Sequence, residues 1–279
     1  MIKAQALDAW NKVGACGSST CDLIGLTRKL VTPDQHAKRS RILQIVCHCG
    51  ANYVAPENTL AAAQICFEHN YDFVELDART SADGRLVVLH DETVDRTTDG
   101  SGVVSALTWS ELCELDAGSW FHSKYSDQRI PLLSEMLALA SKHGGLYIEL
   151  KDVDPQSMLN EVAEANMMQR CFFGSENPQA MREVRALAPR AILMARRCDF
   201  STLRAAVEDC QSQIIEFDQT VDDLSELPKC RAFGVKSMIY DQTHQVAAME
   251  AAAALGPDLI NVDRPDIAAS VRARLTTNS

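Results

Sequence analysis

Short runs rich in Val, Ile, Leu and Phe recur along the chain with helix-length segments between them, and this alternation constrains the fold more than any other feature. Strands buried on both faces read as continuous apolar runs, and the crossover between parallel neighbours needs a dozen or more residues, usually a helix. Eight such runs are legible, over residues 42–48, 73–77, 146–151, 171–174, 191–194, 214–217, 237–240 and 259–262. Eight units of this kind favour a closed (β/α)8 barrel of the TIM type over an open sheet. At 279 residues, 46% hydrophobic and 23% charged, the chain can bury one core of that size.

A ninth apolar run, 86–89, follows the second too closely for a helical crossover and predicts an antiparallel return, a hairpin insertion after strand two. Asp83-Gly84 is a strong two-residue turn signal, and that turn sets Asp77 opposite His90. Residues 1–40 lie outside the alternation and read as an N-terminal extension to a barrel domain over 41–279, with a small-residue stretch at 14–20 and a helix expected over 22–29. Thr108 to Glu111 has capping-box spacing, 132–142 reads as the helix leading into strand three, and 97–131 is the longest weakly patterned stretch.

A net charge of −11 without a basic patch opposes binding to nucleic acid or anionic lipid. No stretch approaches the roughly 18 apolar residues of a membrane span, and the first thirteen residues lack the pattern of a secretory signal. Ten cysteines are scattered through a chain with its own core, which reads as a reduced, cytoplasmic protein; Cys16/Cys21 and Cys47/Cys49 lack the second half of a zinc pattern. Barrel surfaces often form homodimers, but no residue pattern singles out such a surface.

Alternation along a strand points Glu75 and Asp77 the same way, and likewise Glu149 and Lys151. These charges interrupt apolar strands near their C-terminal ends, the face where barrels build active sites, and His48 and His90 are expected there too. Three carboxylates suit one hard divalent cation, Mg2+ or Ca2+. Two histidines beside it suit proton transfer near neutral pH, and Lys151 with the cation would neutralise phosphate oxygens. The plain alternatives are solvated strand ends or an Arg79 pair for Glu75 and Asp77, a surface ion pair for Lys151, and a simple hairpin closure for His90. His69, His122, His143 and His244 show no matching carboxylate in the sequence, and Cys49 no obvious base.

The runs His48-Cys49-Gly50, Ala55-Pro56-Glu57-Asn58-Thr59, Glu75-Leu76-Asp77, Asp83-Gly84, His90-Asp91 and Arg96-Thr97-Thr98 together resemble the glycerophosphodiester phosphodiesterase family. The resemblance continues through Leu115-Asp116-Ala117-Gly118 and Glu149-Leu150-Lys151 and, weakly, into Asp263-Arg264-Pro265-Asp266; it is strong over 43–151 and absent from 1–40. It implies a barrel enzyme that hydrolyses glycerophosphodiesters to glycerol 3-phosphate and an alcohol. It further implies that Glu75, Asp77 and Glu149 hold the ion, that His48 and His90 serve as acid and base, and that Lys151 lies near the phosphate. Glu57 and Asn58 match a motif that lines or supports the site.

Cys49 stands where the family carries a phosphate-gripping arginine, and a thiol cannot replace a bidentate guanidinium. Such a loss is worth about 2 to 4 kcal/mol of transition-state stabilisation. Arg79, on the side of Asp77, is the expected partial substitute. A smaller residue at 49 widens the pocket, so a sugar-phosphate diester of the agrocinopine type rivals glycerol as substrate. The family's aromatic-rich strand seven is also replaced, by Ser237-Met238-Ile239-Tyr240-Asp241; Tyr240, Asp241, Glu216 and Asp218 are strand-end candidates for sugar hydroxyls. The alternatives are a lyase that forms a cyclic phosphate, a phosphodiester-binding protein without turnover, and a structural barrel without an ion.

Overall fold

The computed structural model describes residues 6–8, 10–11 and 43–277. The stretch 14–20, the helix expected over 22–29 and the pair Cys16/Cys21 lie outside the described residues. Residues 6–8 and 10–11 are helical, and Leu7 is buried in the main core.

All eight expected runs are strands of one closed barrel. In chain order they are β1 (Gln44–Cys47), β2 (Phe73–Thr80) and, after a short antiparallel β3 (Leu86–Val88), β4 (Gly145–Leu150), β5 (Cys171–Gly174), β6 (Ile192–Arg196), β7 (Ile214–Asp218), β8 (Lys236–Asp241) and β9 (Leu259–Val262). β1 pairs in parallel with both β2 and β9, which closes the ring. Residues facing inward, among them Val46, Tyr147, Phe172, Met194, Ile214, Met238 and Leu259, pack into one layer, with the rings of Tyr147 and Phe172 stacked 4.6 Å apart. Burying each of those rings is worth about 2 to 3 kcal/mol, so the barrel interior is a filled floor, not a channel. Their neighbours Ile45, Leu76, Ile148, Phe173 and Ile260 join the core beneath the surrounding helices. Both faces of the strands are therefore apolar over most of their length, and the polar residues in them sit towards the strand ends, Gln44 and Lys236 at one end and Glu149 and Glu216 at the other.

The hairpin departs from expectation by one residue. Ala78 stands opposite Val88 and Arg79 opposite Val87, so Leu89 N donates to Asp77 O at 2.9 Å and His90 is not Asp77's partner. The cause is a three-residue loop: Ser81 N donates to Arg85 O, and Gly84 is left-handed at φ +78°. A one-residue slip turns side chains to the other face only while pairing lasts. β3 ends at Val88, and His90, free of the ladder, still reaches the mouth.

The stretch 97–131 has more order than its patterning suggests. It holds the short helix Trp109–Leu112, where the Glu111 carboxylate accepts from Thr108 N as in a capping box, and two 3-10 turns. Val94, Val104, Leu112, Ala117 and Ile130 form a satellite core with Val87 and Leu89 of the hairpin region. The helix Leu133–His143 then leads into β4 as expected. Among the described residues no helix is long and apolar enough to cross a membrane.

Candidate active site

The C-terminal ends of the strands surround a cavity of about 240 Å³ whose lining includes His48, His90, Glu149, Lys151 and Tyr240. A larger one, about 810 Å³, opens at the opposite end among strand-starting residues such as Phe73, Gly145 and Ile214, and none of the expected site residues lines it.

The first turn of the site follows β1. Cys49 and Gly50 are both left-handed, at φ 51° and 83°, and a Cβ on Gly50 would meet Ala62 Cβ at 2.8 Å. This double reversal aims the Cys49 amide at Glu75, whose Oε2 accepts from it at 2.6 Å. The Cys49 thiol is buried against Asp77 Oδ2 (3.5 Å) and His48 Nε2 (3.7 Å). Burial and the carboxylates Glu75 and Asp77 push that thiol well up, so it offers no thiolate nucleophile.

Strand register assembles the carboxylates: Asp77 of β2 lies beside Glu149 of β4, with Glu75 one inward-facing step below. Oxygens of all three fall within 4.8 Å of one another. Asn58, left-handed at φ 57°, clamps Asp77 by donating from Nδ2 to Oδ2 (2.8 Å) and accepting from Asp77 N (3.2 Å). Lys151 Nζ donates to Glu149 at 2.5 Å and lies 3.2 Å from Asp77. Burial opposes the charge on Asp77, but Lys151, His90 and the Asn58 bond outweigh it and hold its carboxyl low. Glu75 has the opposite fate: burial, then the charges of Asp77 and Glu149, drive its carboxyl well up. Its Oε1 is buried with no hydrogen-bond partner. An orphaned carboxylate oxygen within an all-oxygen, strongly negative cluster fits a hard divalent cation such as Mg2+ or Ca2+.

Both histidines are anchored through Nδ1. His48 Nδ1 pairs with Asp263 Oδ1 at 2.7 Å, and Asp263 in turn accepts from Asn52 Nδ2 (2.8 Å) and pairs with His244 Nε2 (2.9 Å). Burial alone would lower His48, but the Asp263 bond and the fields of Glu75 and Asp77 win and push it up to about 9. His90 Nδ1 pairs with Asp91 at 2.8 Å; Arg96 grips Asp91 and, with its other edge, Glu57. In each case Nε2 is the nitrogen left for the cavity, with Tyr240 Oη 3.4 Å from that of His48.

One expected substrate contact, Arg79, takes another place, while Glu57 and Asn58 stand as supports of the site. The Arg79 guanidinium donates to Leu89 O and His90 O and faces Asp152 at 3.4 Å, so it secures the backbone of His90 and does not stand in for the missing arginine. The reason is that β2 pairs with β4 only as far as Ala78, and Arg79 lies past the rim with β3 alone. Glu57 meets Arg96, and Asn58 meets Asp77. One further reading changes: His244 has a carboxylate partner, Asp263, which was visible only within the weakest motif. Glu216 of β7 and Asn261 of β9 also line the mouth. Glu216 is already a strand-end candidate in the sequence; Asn261 is not, although it too is a polar residue inside an apolar strand, the signal that exposed Glu75.

A sequence profile of the glycerophosphoryl diester phosphodiesterase family matches residues 48–194. The glycerophosphodiester phosphodiesterase of Caldanaerobacter subterraneus is 32% identical over 226 residues, 71% of this chain and 93% of that protein. Matches to two Bacillus subtilis relatives, 38% and 34% identical, span 65% and 57% of those proteins. Among solved structures, a glycerophosphodiester phosphodiesterase from Agrobacterium tumefaciens superposes with a TM-score of 0.78 at 34% identity, over 82% of this chain and 99% of that one. An Oleispira antarctica phosphodiesterase in complex with sn-glycerol-3-phosphate gives 0.74 at 27% identity, over 82% and 96%.

Proposed function

Since the chain belongs to the glycerophosphoryl diester phosphodiesterase family of phosphoric diester hydrolases, we propose that it catalyses metal-dependent hydrolysis of a glycerophosphodiester or sugar-phosphate diester to a phosphate monoester and an alcohol. The observation that carries this reading is that two carboxylate-anchored imidazoles flank a cluster of three carboxylates. Glu75, Asp77 and Glu149 would hold Mg2+ or Ca2+, which when bound supplies Lewis-acid polarisation of the phosphoryl oxygens. Lys151 brings a second positive charge to those oxygens as negative charge grows on them.

His48, held as an imidazolium by Asp263, is the acid, passing its Nε2 proton to the departing alkoxide. His90, aligned by Asp91, is the base, taking a proton from the attacking water. The Cys49 amide fixes Glu75, and Arg79 fixes the His90 backbone. Eight described cysteines are free thiols, six of them buried, which suits a reducing compartment such as the cytoplasm. The Oleispira neighbour was crystallised with sn-glycerol-3-phosphate, the monoester that a glycerophosphodiester would yield here.

The test is monoester release from glycerophosphocholine and from a sugar-phosphate diester, with Mg2+ or Ca2+, with chelator, and with His48→Ala. Release that needs both the cation and His48 supports the reading; release that survives chelator or the substitution sinks it. In 18O-labelled water the label should enter the monoester directly, whereas a cyclic phosphate appearing first would assign the lyase route.

A further inference from the structure

Opposite the carboxylate cluster, β7 lies four strands round the ring from β2, and the wall there is polar in a way that phosphoryl transfer does not require. Glu216 in β7 stands in register with Arg196 in β6. Across β8, Asn261 Nδ2 donates to Glu216 Oε1 at 3.2 Å. Both are deeply buried, 8% and 3% exposed, yet Asn261 Oδ1 has no hydrogen-bond partner. A protein keeps a buried amide oxygen unpaired only at some cost in stability, and on a cavity wall the natural relief is a ligand that donates to it.

We infer that this wall is the subsite for the alcohol half of the diester, and that it takes a polyhydroxylated alcohol, a cyclic polyol or sugar, in preference to an amino alcohol. The inference rests on the phosphodiesterase reading. Asn261 Oδ1 and the Glu216 carboxylate accept, which calls for hydroxyl donors. The Tyr240 hydroxyl and the Arg196 guanidinium, the latter paired with Glu176 at the rim, donate back to sugar oxygens. A polyol presents donor and acceptor on every carbon and satisfies both kinds of group. A quaternary ammonium has no hydrogen to give Asn261 and is recognised by open aromatic faces. Here the ring of Tyr147 is stacked on Phe172, and that of Tyr240 packs against His48.

The experiment compares kcat/KM of the full-length protein, with Mg2+ or Ca2+, on glycerophosphoinositol and on glycerophosphocholine. The inositol compound should be favoured by about tenfold or more, the worth of one well-made buried hydrogen bond. Asn261→Leu and, independently, Glu216→Gln should each cut that preference by about tenfold, chiefly through KM, with the thermal transition showing that each variant is folded. Equal rates, a lead for the choline compound, or a preference unchanged in both variants overturns the subsite alone. Cleavage of neither compound overturns the subsite, and if the sugar-phosphate diester is also left intact the phosphodiesterase reading falls with it.

Discussion

Asp263 holds the imidazole of His48 from the far end of the chain, Oδ1 lying 2.7 Å from Nδ1 across 215 residues of sequence. Asn52 and His244 fix Asp263 in turn, and Asp91, Arg96 and Glu57 repeat the arrangement behind His90. With Nδ1 committed on both rings, only Nε2 of each is left for the proton transfers proposed above.

Replacing that anchor tests its role. Asp263→Asn should lower kcat about 100-fold with little change in KM, because the amide keeps the shape while losing the charge that stabilises the imidazolium. The alkaline limb of the rate profile should also move to lower pH. Steady-state kinetics across pH would show either effect, and an unchanged kcat with an unchanged profile would dismiss Asp263 as a positioning residue.

Glu75 is expected to give opposite signs with and without cation. In chelator, burial and the charges of Asp77 and Glu149 oblige Glu75 to take up a proton on folding; Glu75→Gln removes that cost and should raise the melting temperature. In the native protein, a cation at 100 times its dissociation constant should add about 2.7 kcal/mol. The variant should lose most of that gain, and a scan showing the same cation-induced shift in both proteins would remove Glu75 from the ligand set.

The carboxyl of Glu216 sets a pH dependence of stability. Burial lifts it from 4.5 to about 7, so the folded protein keeps a proton that the unfolded chain releases. The stabilising contribution is therefore complete below 4.5 and is lost as pH rises through about 7, a change of about 3 kcal/mol. Glu216→Gln should accordingly stabilise the protein at pH 8 much more than at pH 4.5. Denaturant titrations at the two pH values that gave equal gains would contradict this.

Gly50 cannot accept a side chain. Alanine there would place Cβ 2.8 Å from Ala62 Cβ in a left-handed backbone, which strain and overpacking together put at about 2 to 4 kcal/mol. Urea unfolding is the measure, and a loss below about 0.5 kcal/mol would show that the turn after β1 is not locked.

The barrel was legible because apolar runs at crossover spacing leave few alternatives, and the carboxylate cluster because a charge inside such a run is conspicuous. Glu75, Asp77 and Glu149 come together through register alone. What escaped the sequence depended on where pairing stops. Arg79 obeys the alternation that aligns it with Asp77, yet it lies beyond the last β2–β4 pair and serves the backbone of His90. The loop of three residues at Gly84 could not be told from one of two. Asp263 and His244 are brought to His48 by ring closure, a contact that no local pattern encodes.

That closure also sets an order of assembly during synthesis. The strands bearing Glu75, Asp77 and Glu149 are complete once Leu150 has been made, but β9 and Asp263 follow only after β5 to β8. A growing chain can thus carry its acidic residues long before His48 acquires a counter-charge, and the acid role proposed for His48 waits until β9 docks against β1.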